Sequence, residues 1–192
     1  MAEIMSKKKA KTEKILDVSI ELLKSEGDFG ITMRKVATLA DMSLSNVQYY
    51  FKNKDALLIA MADRYFQQCL DEISSQPELA EQQDLKPLVH AFLAHGLEIS
   101  DMCRIFREYW ALSTRNEAIE DYLSKYYQTL AGILSDKLQH LAVDESSLGK
   151  AVSIFIPYVE GYSITAKSLP QDFEVMSAVL SDVMWKCLRR EF

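Results

Sequence analysis

The chain of 192 residues is poor in the residues that interrupt or staple a backbone, with 6 glycines, 4 prolines and 3 cysteines. So few breakers favour long helices. Cys69, Cys103 and Cys187 are an odd set, far apart, and no CxxC spacing occurs, which argues against both a disulfide framework and a thiolate zinc site. They read as reduced structural thiols. Histidine is scarce as well: His90 and His95 are five residues apart, a spacing that keeps them off one helix face, and His140 is remote from both. No metal and no cofactor are expected. Neither a nucleophile motif nor a Gly-rich phosphate loop is present, and Glu72, Glu98 and Glu108 read as residues of exposed helix faces, so the chain is not expected to be an enzyme. Long apolar runs are missing too. The richest, Ala151 to Val159, contains Pro157 and is half the roughly 18 residues that a membrane span requires. The opening MAEIMSKKKAK passes straight into lysines with no apolar core, so no secretory signal and no membrane partner are expected, and the predicted location is cytoplasmic.

What remains is a soluble, globular composition, 48% hydrophobic and 26% charged. The net charge of −6 is unevenly placed: residues 1–55 carry 10 Lys and Arg against 8 Asp and Glu, and the rest carries 12 against 20. An acidic total therefore coexists with a mildly basic first segment. Its lysines cluster at Lys7, Lys8, Lys9, Lys11 and Lys14, either a basic arm able to reach phosphates or a solvated terminus.

Apolar periodicity predicts an all-α chain of about nine helices. The first covers about residues 8–26, with Ile15, Val18, Ser19, Leu22 and Leu23 on one face and Gly27 as its stop. Thr32 caps a short helix, MRKVATLA, that turns Val36, Ala37 and Ala40 to one side; after the break Asp41-Met42-Ser43, Ser43 caps a second, LSNVQYY, closed by Phe51. Asn53 caps a longer helix from Lys54 to about Ser75, and QPELAEQQD is a polar loop. Further helices are expected at about 85–99, 101–114, 116–141, 145–167 and 170–190, with a bend at Pro157.

Two short helices across a three-residue turn, flanked by supporting helices, make a helix-turn-helix over residues 32–51. A helix offered to the major groove must bury one narrow stripe and leave its other side chains free. Residues 43–51 fit this, with Val47 inward and Leu44, Asn46, Gln48, Tyr49 and Tyr50 available. The stretches ILDVSIELLKSEG and ITMRKVATLADMSLSNVQYYFKNKDALL resemble the DNA-binding domain of TetR-family regulators, most specifically in YYFKNKDAL.

That resemblance implies a three-helix helix-turn-helix DNA-binding domain at 1–53 and a helical ligand-binding and dimerisation domain at 54–192. The expected function is that of a sequence-specific transcriptional regulator, a ligand-responsive repressor acting as a homodimer on a palindromic double-stranded DNA operator, with an unknown small-molecule inducer. The alternative is a helical protein-interaction module that has lost DNA binding. Carried over by position, the resemblance makes Thr32 a cap, sets Arg34, Asn46, Gln48 and Tyr49 against bases or the sugar-phosphate, and has Tyr50 and Lys54 grip phosphates. Ser43, Leu44 and Ser45 complete the DNA-facing set, Leu44-Ser45 standing where the family more often has a polar residue and glycine. Asp41 replaces a turn glycine at a position that often needs positive φ, which Asp tolerates better than most residues.

In the family the last two long helices pair across a dimer. Here they offer Val152, Ile156, Val159 and Ser163, then Phe173, Met176, Leu180, Val183 and Cys187, with Gly149 and Gly161 permitting close approach. Family architecture also implies an inducer pocket, for which Phe92, His95, Met102, Phe106, Trp110, Tyr126, Phe155, Tyr158, Glu160 and Tyr162 supply apolar walls and a few polar points.

Overall fold

The computed structural model describes residues 2–97, 101–170 and 172–191, with the side chains of 2–5, 95–97, 101 and 102 outside that description. Among the described residues there are nine α-helices and no strand: α1 (Ala2–Gly30), α2 (Met33–Leu39), α3 (Leu44–Tyr50), α4 (Lys54–Ser75), α5 (Leu85–Leu97), α6 (Asp101–Ser113), α7 (Glu117–Leu138), α8 (Glu145–Thr165) and α9 (Phe173–Arg189). The all-α expectation holds. The caps lie where their chemistry places them: Thr32 and Ser43 accept from Lys35 and Asn46 N–H, both at 3.2 Å, and Asn53 accepts from Ala56 N–H at 2.8 Å. Asp144 and Asp172 do the same for α8 and α9, accepting from Ser147 and Val175 N–H. Asp172 explains why α9 begins at Phe173 and not at 170.

Two features of α1 depart from simple periodicity. It begins at Ala2, some six residues before the expected start near residue 8; alanine, lysine and glutamate are strong helix formers and need no apolar stripe where they are exposed. Toward its end Gly27 takes φ 67° and ψ −171°, which breaks the regular helix where the sequence places a stop. Three residues on, a Cβ at Gly30 would lie 2.4 Å from the Glu26 Cβ, so that position admits no side chain.

The chain folds into two compact units whose division falls within α4, α6 and α7. One comprises Met1–Cys69 and Arg104–Lys125, and thus takes in most of α4 as well as the helices expected before residue 54. Its core is built on Ile15, Leu23, Leu57, Phe66 and Ile105. Phe66 stacks on Phe106 with ring centroids 4.0 Å apart and meets Tyr109 edge-on at 5.4 Å. The fully buried Tyr109 hydroxyl donates to the Leu58 carbonyl at 2.5 Å, and burial holds its pKa far above the ordinary tyrosine value.

The other unit comprises Leu70–Cys103 and Tyr126–Phe192, in which α5, α8 and α9 pack against one another over Leu85, Leu93, Phe155, Met184 and Leu188. Phe92 meets Phe155 edge-on at 4.9 Å. The buried Lys137 of α7 donates to the Ser74 and Gln76 carbonyls at 3.1 and 2.6 Å, which satisfies orphan acceptors at the end of α4.

Candidate nucleic-acid interface

The turn between α2 and α3 is closed by backbone geometry. Asp41 has φ 56°, the positive value anticipated at a glycine-type position, and its N–H donates to Thr38 O while the Met42 N–H donates to Ala37 O at 2.9 Å. That pair of bonds ends α2 in a left-handed cap and turns the chain toward Ser43. Ser43 and Ser45 hydroxyls lie 3.0 Å apart, so the capping oxygen and its neighbour share one polar cluster at the start of α3. Val47 is fully buried and pins α3, with Val36, Ala37 and Ala40 buried on the α2 side.

With Val47 inward, α3 shows its other faces. Ser45, Gln48 and Tyr49 are exposed, Tyr49 by 73%, whereas Leu44, Asn46 and Tyr50 are half-buried. The Tyr49 and Tyr50 rings meet edge-on at 5.2 Å. Arg34 and Thr32 are exposed on α2 and its cap, and the exposed Leu39, which the sequence does not single out, adds an apolar point at the end of α2. Lys35 is engaged locally, its ammonium 2.5 Å from both Glu26 carboxylate oxygens. The exposed side chains include the Gln48 amide, the Tyr49 phenol and the Arg34 guanidinium, groups that suit base edges and phosphates in a groove.

Lys54 is also engaged within its own unit. Its ammonium donates to the Asp28 carbonyl at 2.6 Å and lies 3.8 Å from the Asp28 carboxylate. That carboxylate is buried and also accepts from Arg115 at 2.7 Å. Asp28 is a residue the sequence gives no cause to select, since its partners lie 26 and 87 positions away.

The described members of the ten residues proposed for a ligand pocket are divided between the two units. Phe106 and Trp110 belong to the first unit, where Phe106 packs on Phe66 and Trp110 is 49% exposed. Phe92, Tyr126, Phe155, Tyr158, Glu160 and Tyr162 belong to the second. There Tyr158 and Tyr162 stack at 5.9 Å, and Glu160 accepts from the Tyr127 hydroxyl at 2.9 Å. Glu160 is two residues from each of those tyrosines, about 200° around the helix, so the acid and the tyrosine pair serve different faces. Burial raises the Glu160 carboxyl above its ordinary pKa, and the Tyr127 bond opposes that rise. The side chains of His95 and Met102 lie outside the described residues.

Of the stripe proposed for pairing two chains, Val152, Leu180 and Cys187 are buried within the single chain and have little surface left to offer; Ile156, Val159, Ser163, Phe173, Met176 and Val183 are half-buried. Each helix has to seat one apolar stripe against its own unit, and the richer stripe does so. The apolar residues left outward are Ile154 and Ile164 on α8 and Val175 and Val179 on α9. Among the described residues no group of three or more His, Cys, Asp and Glu is placed to hold a metal, and no helix is long and apolar enough to cross a membrane.

Comparison with known proteins agrees with this architecture. The family model "Bacterial regulatory proteins, tetR family" matches residues 15–61, from the middle of α1 into α4. Over 187 residues the chain is 56% identical to an uncharacterized HTH-type transcriptional regulator in the dhlA 5′ region of Xanthobacter autotrophicus, covering 95% of this chain and 93% of that one. Among solved structures, Salmonella enterica GusR is similar with a TM-score of 0.75 at 16% identity, over 93% of this chain and 96% of its own. The multidrug binding protein EbrR, complexed with ethidium, gives 0.67 at 18% identity, over 90% and 97%. These two structures speak for the fold, and the full-length relative speaks for the family: the chain belongs to the tetR family of bacterial regulatory proteins and is a helix-turn-helix transcriptional regulator.

Proposed function

We propose that the protein is a ligand-responsive repressor that binds a palindromic operator as a homodimer, with residues 1–53 reading DNA and 54–192 sensing and dimerising. The observation that carries the reading is the division of α3 into a buried Val47 and an outer face of Gln48 and Tyr49. In the groove, Arg34, Asn46 and Gln48 hydrogen-bond base edges while Tyr49, Tyr50 and Lys54 meet the sugar-phosphate; Thr32 and Ser43 position α2 and α3 as caps, and Leu44 and Ser45 approach at the start of α3. The exposed Ile154, Ile164, Val175 and Val179 support pairing through α8 and α9. An aromatic second unit, and a structural neighbour that carries ethidium, support a small-molecule inducer held in the body. Ligand then acts by favouring a dimer whose reading heads no longer match the operator.

Fluorescence anisotropy with the protein's own upstream DNA and with random duplex, over a range of salt, tests the reading. A preference for the upstream DNA is expected, since base contacts add to the shared phosphate attraction. Gln48→Ala should reduce discrimination between sequences by about 1–3 kcal/mol, while Lys54→Ala should weaken both duplexes alike. No preference for any upstream sequence would overturn the regulator reading in favour of a helical protein-interaction module. Equal behaviour of the two variants would overturn the division of roles.

A further inference from the structure

Asp28 sits between two cations, one at each carboxylate oxygen, and the nearer of them is Arg115. Its carboxylate is 9% exposed and accepts from Arg115 at 2.7 Å, while the Lys54 ammonium stands 3.8 Å from the other oxygen and donates to the Asp28 carbonyl at 2.6 Å. Lys54 is the first residue of α4, and Arg115 lies in the corner between α6 and α7. The same corner is tied to α4 a second time, because Asn116 donates to the Asp55 carboxylate at 2.8 Å and its own oxygen accepts from Ile119 N–H to start α7. Arg115 also lies over the ring of Phe29 at 5.2 Å. All of these residues belong to one compact unit, so the network joins the end of α1, the start of α4 and the α6–α7 corner.

We propose that Asp28 is a positioning residue that governs how much of the Lys54 charge is available to DNA, and that Arg115 sets this by offsetting the charge of the Asp28 carboxylate. While Arg115 holds Asp28, the ammonium of Lys54 is restrained chiefly by a neutral carbonyl and can transfer to a phosphate. When Arg115 is withdrawn, the carboxylate is left with Lys54 as its nearer cation and draws it away from the DNA. Movement of the α6–α7 corner thereby changes phosphate affinity without any change in α2 or α3. This rests on the DNA-binding reading above, and adds to it a route by which the body can weaken the grip of the head.

The signs of the expected effects separate this role from simple structural support. Asp28→Asn should strengthen binding three- to tenfold, equally for operator and random duplex, because Lys54 loses its anionic competitor. Arg115→Gln should weaken binding by a similar factor and flatten the dependence on salt. Both effects should vanish in a Lys54→Ala background, where there is no ammonium to release or capture. Circular dichroism melting accompanies each variant; the Arg115 substitution removes a guanidinium that is 44% exposed and is the safer of the two for folding.

The proposal is overturned if Asp28→Asn weakens binding in a folded protein. It is also overturned if either change has the same effect with Lys54 as without it, the signature of general charge. Wild-type protein that prefers no sequence sinks the regulator reading itself. Wild-type protein that binds its operator, but whose Arg115→Gln variant binds as tightly, sinks only this inference.

Discussion

Asp41 holds a left-handed backbone conformation, φ 56°, at a turn that any L side chain enters at some cost. Glycine carries no such penalty, although it gives up more chain entropy on folding. Asp41→Gly is therefore expected to stabilise the protein slightly, by about 0.5 kcal/mol, and Asp41→Val to destabilise it by about 1–2 kcal/mol, both read from urea unfolding midpoints. A second residue-scale effect belongs to Glu160. Burial favours its neutral form, so the folded carboxyl titrates above the ordinary value of 4.5. The folded state then binds more protons than the unfolded one, and stability is greatest below that value and declines as pH rises through the folded pKa. Glu160→Gln keeps an oxygen for the Tyr127 hydroxyl and removes the titration. It should be more stable than the wild type at pH 7, with the difference closing near pH 4; denaturant unfolding at the two pH values checks this.

Helices α2 and α3 are only seven residues each, too short to stand on propensity alone, so their caps matter. Ser43→Ala should cost about 1 kcal/mol and fray the first turn of α3, with DNA affinity falling while base preference is kept; Ser43→Asp, which restores an acceptor, should recover the thermal stability. These two helices were legible in the sequence because their signals are local: a cap, a single inward valine, a turn residue tolerant of positive φ. Three other features were not. The start of α1 at Ala2 leaves no apolar stripe to read, since its lysines are exposed. The Asp28 network joins residues separated by 26 and 87 positions, and no pattern in a single chain encodes which acid such cations will find. In α8 both faces carry aliphatic residues, so periodicity supplies two candidate stripes and cannot say which the protein's own core will take; Val152 went inward and Ile154 outward.

At the scale of the whole molecule, that last ambiguity bears on the proposed pairing of two copies. A single chain leaves Ile164 exposed by 69%, Val179 by 47%, Val175 by 42% and Ile154 by 39%, all on two helices that are themselves packed together. Exposed apolar side chains on a pair of packed helices are candidates for an association surface. In the proposed homodimer, a two-fold axis through such a surface would bring each patch against its own copy, giving a closed dimer and two reading heads for a two-fold operator. Val179→Glu places a charge on that proposed surface at a residue 47% exposed, outside the chain's own core. The variant should keep the wild-type helical circular dichroism signal and run as a monomer by light scattering at micromolar concentration. Operator affinity should fall at least tenfold, because each head then binds its half-site without the other's assistance. Leu180→Glu, one residue away but only 3% exposed, should instead lose the fold. A wild type that is monomeric would overturn the homodimer, and a Val179→Glu protein that remains a dimer and binds normally would place the pairing surface elsewhere on the chain.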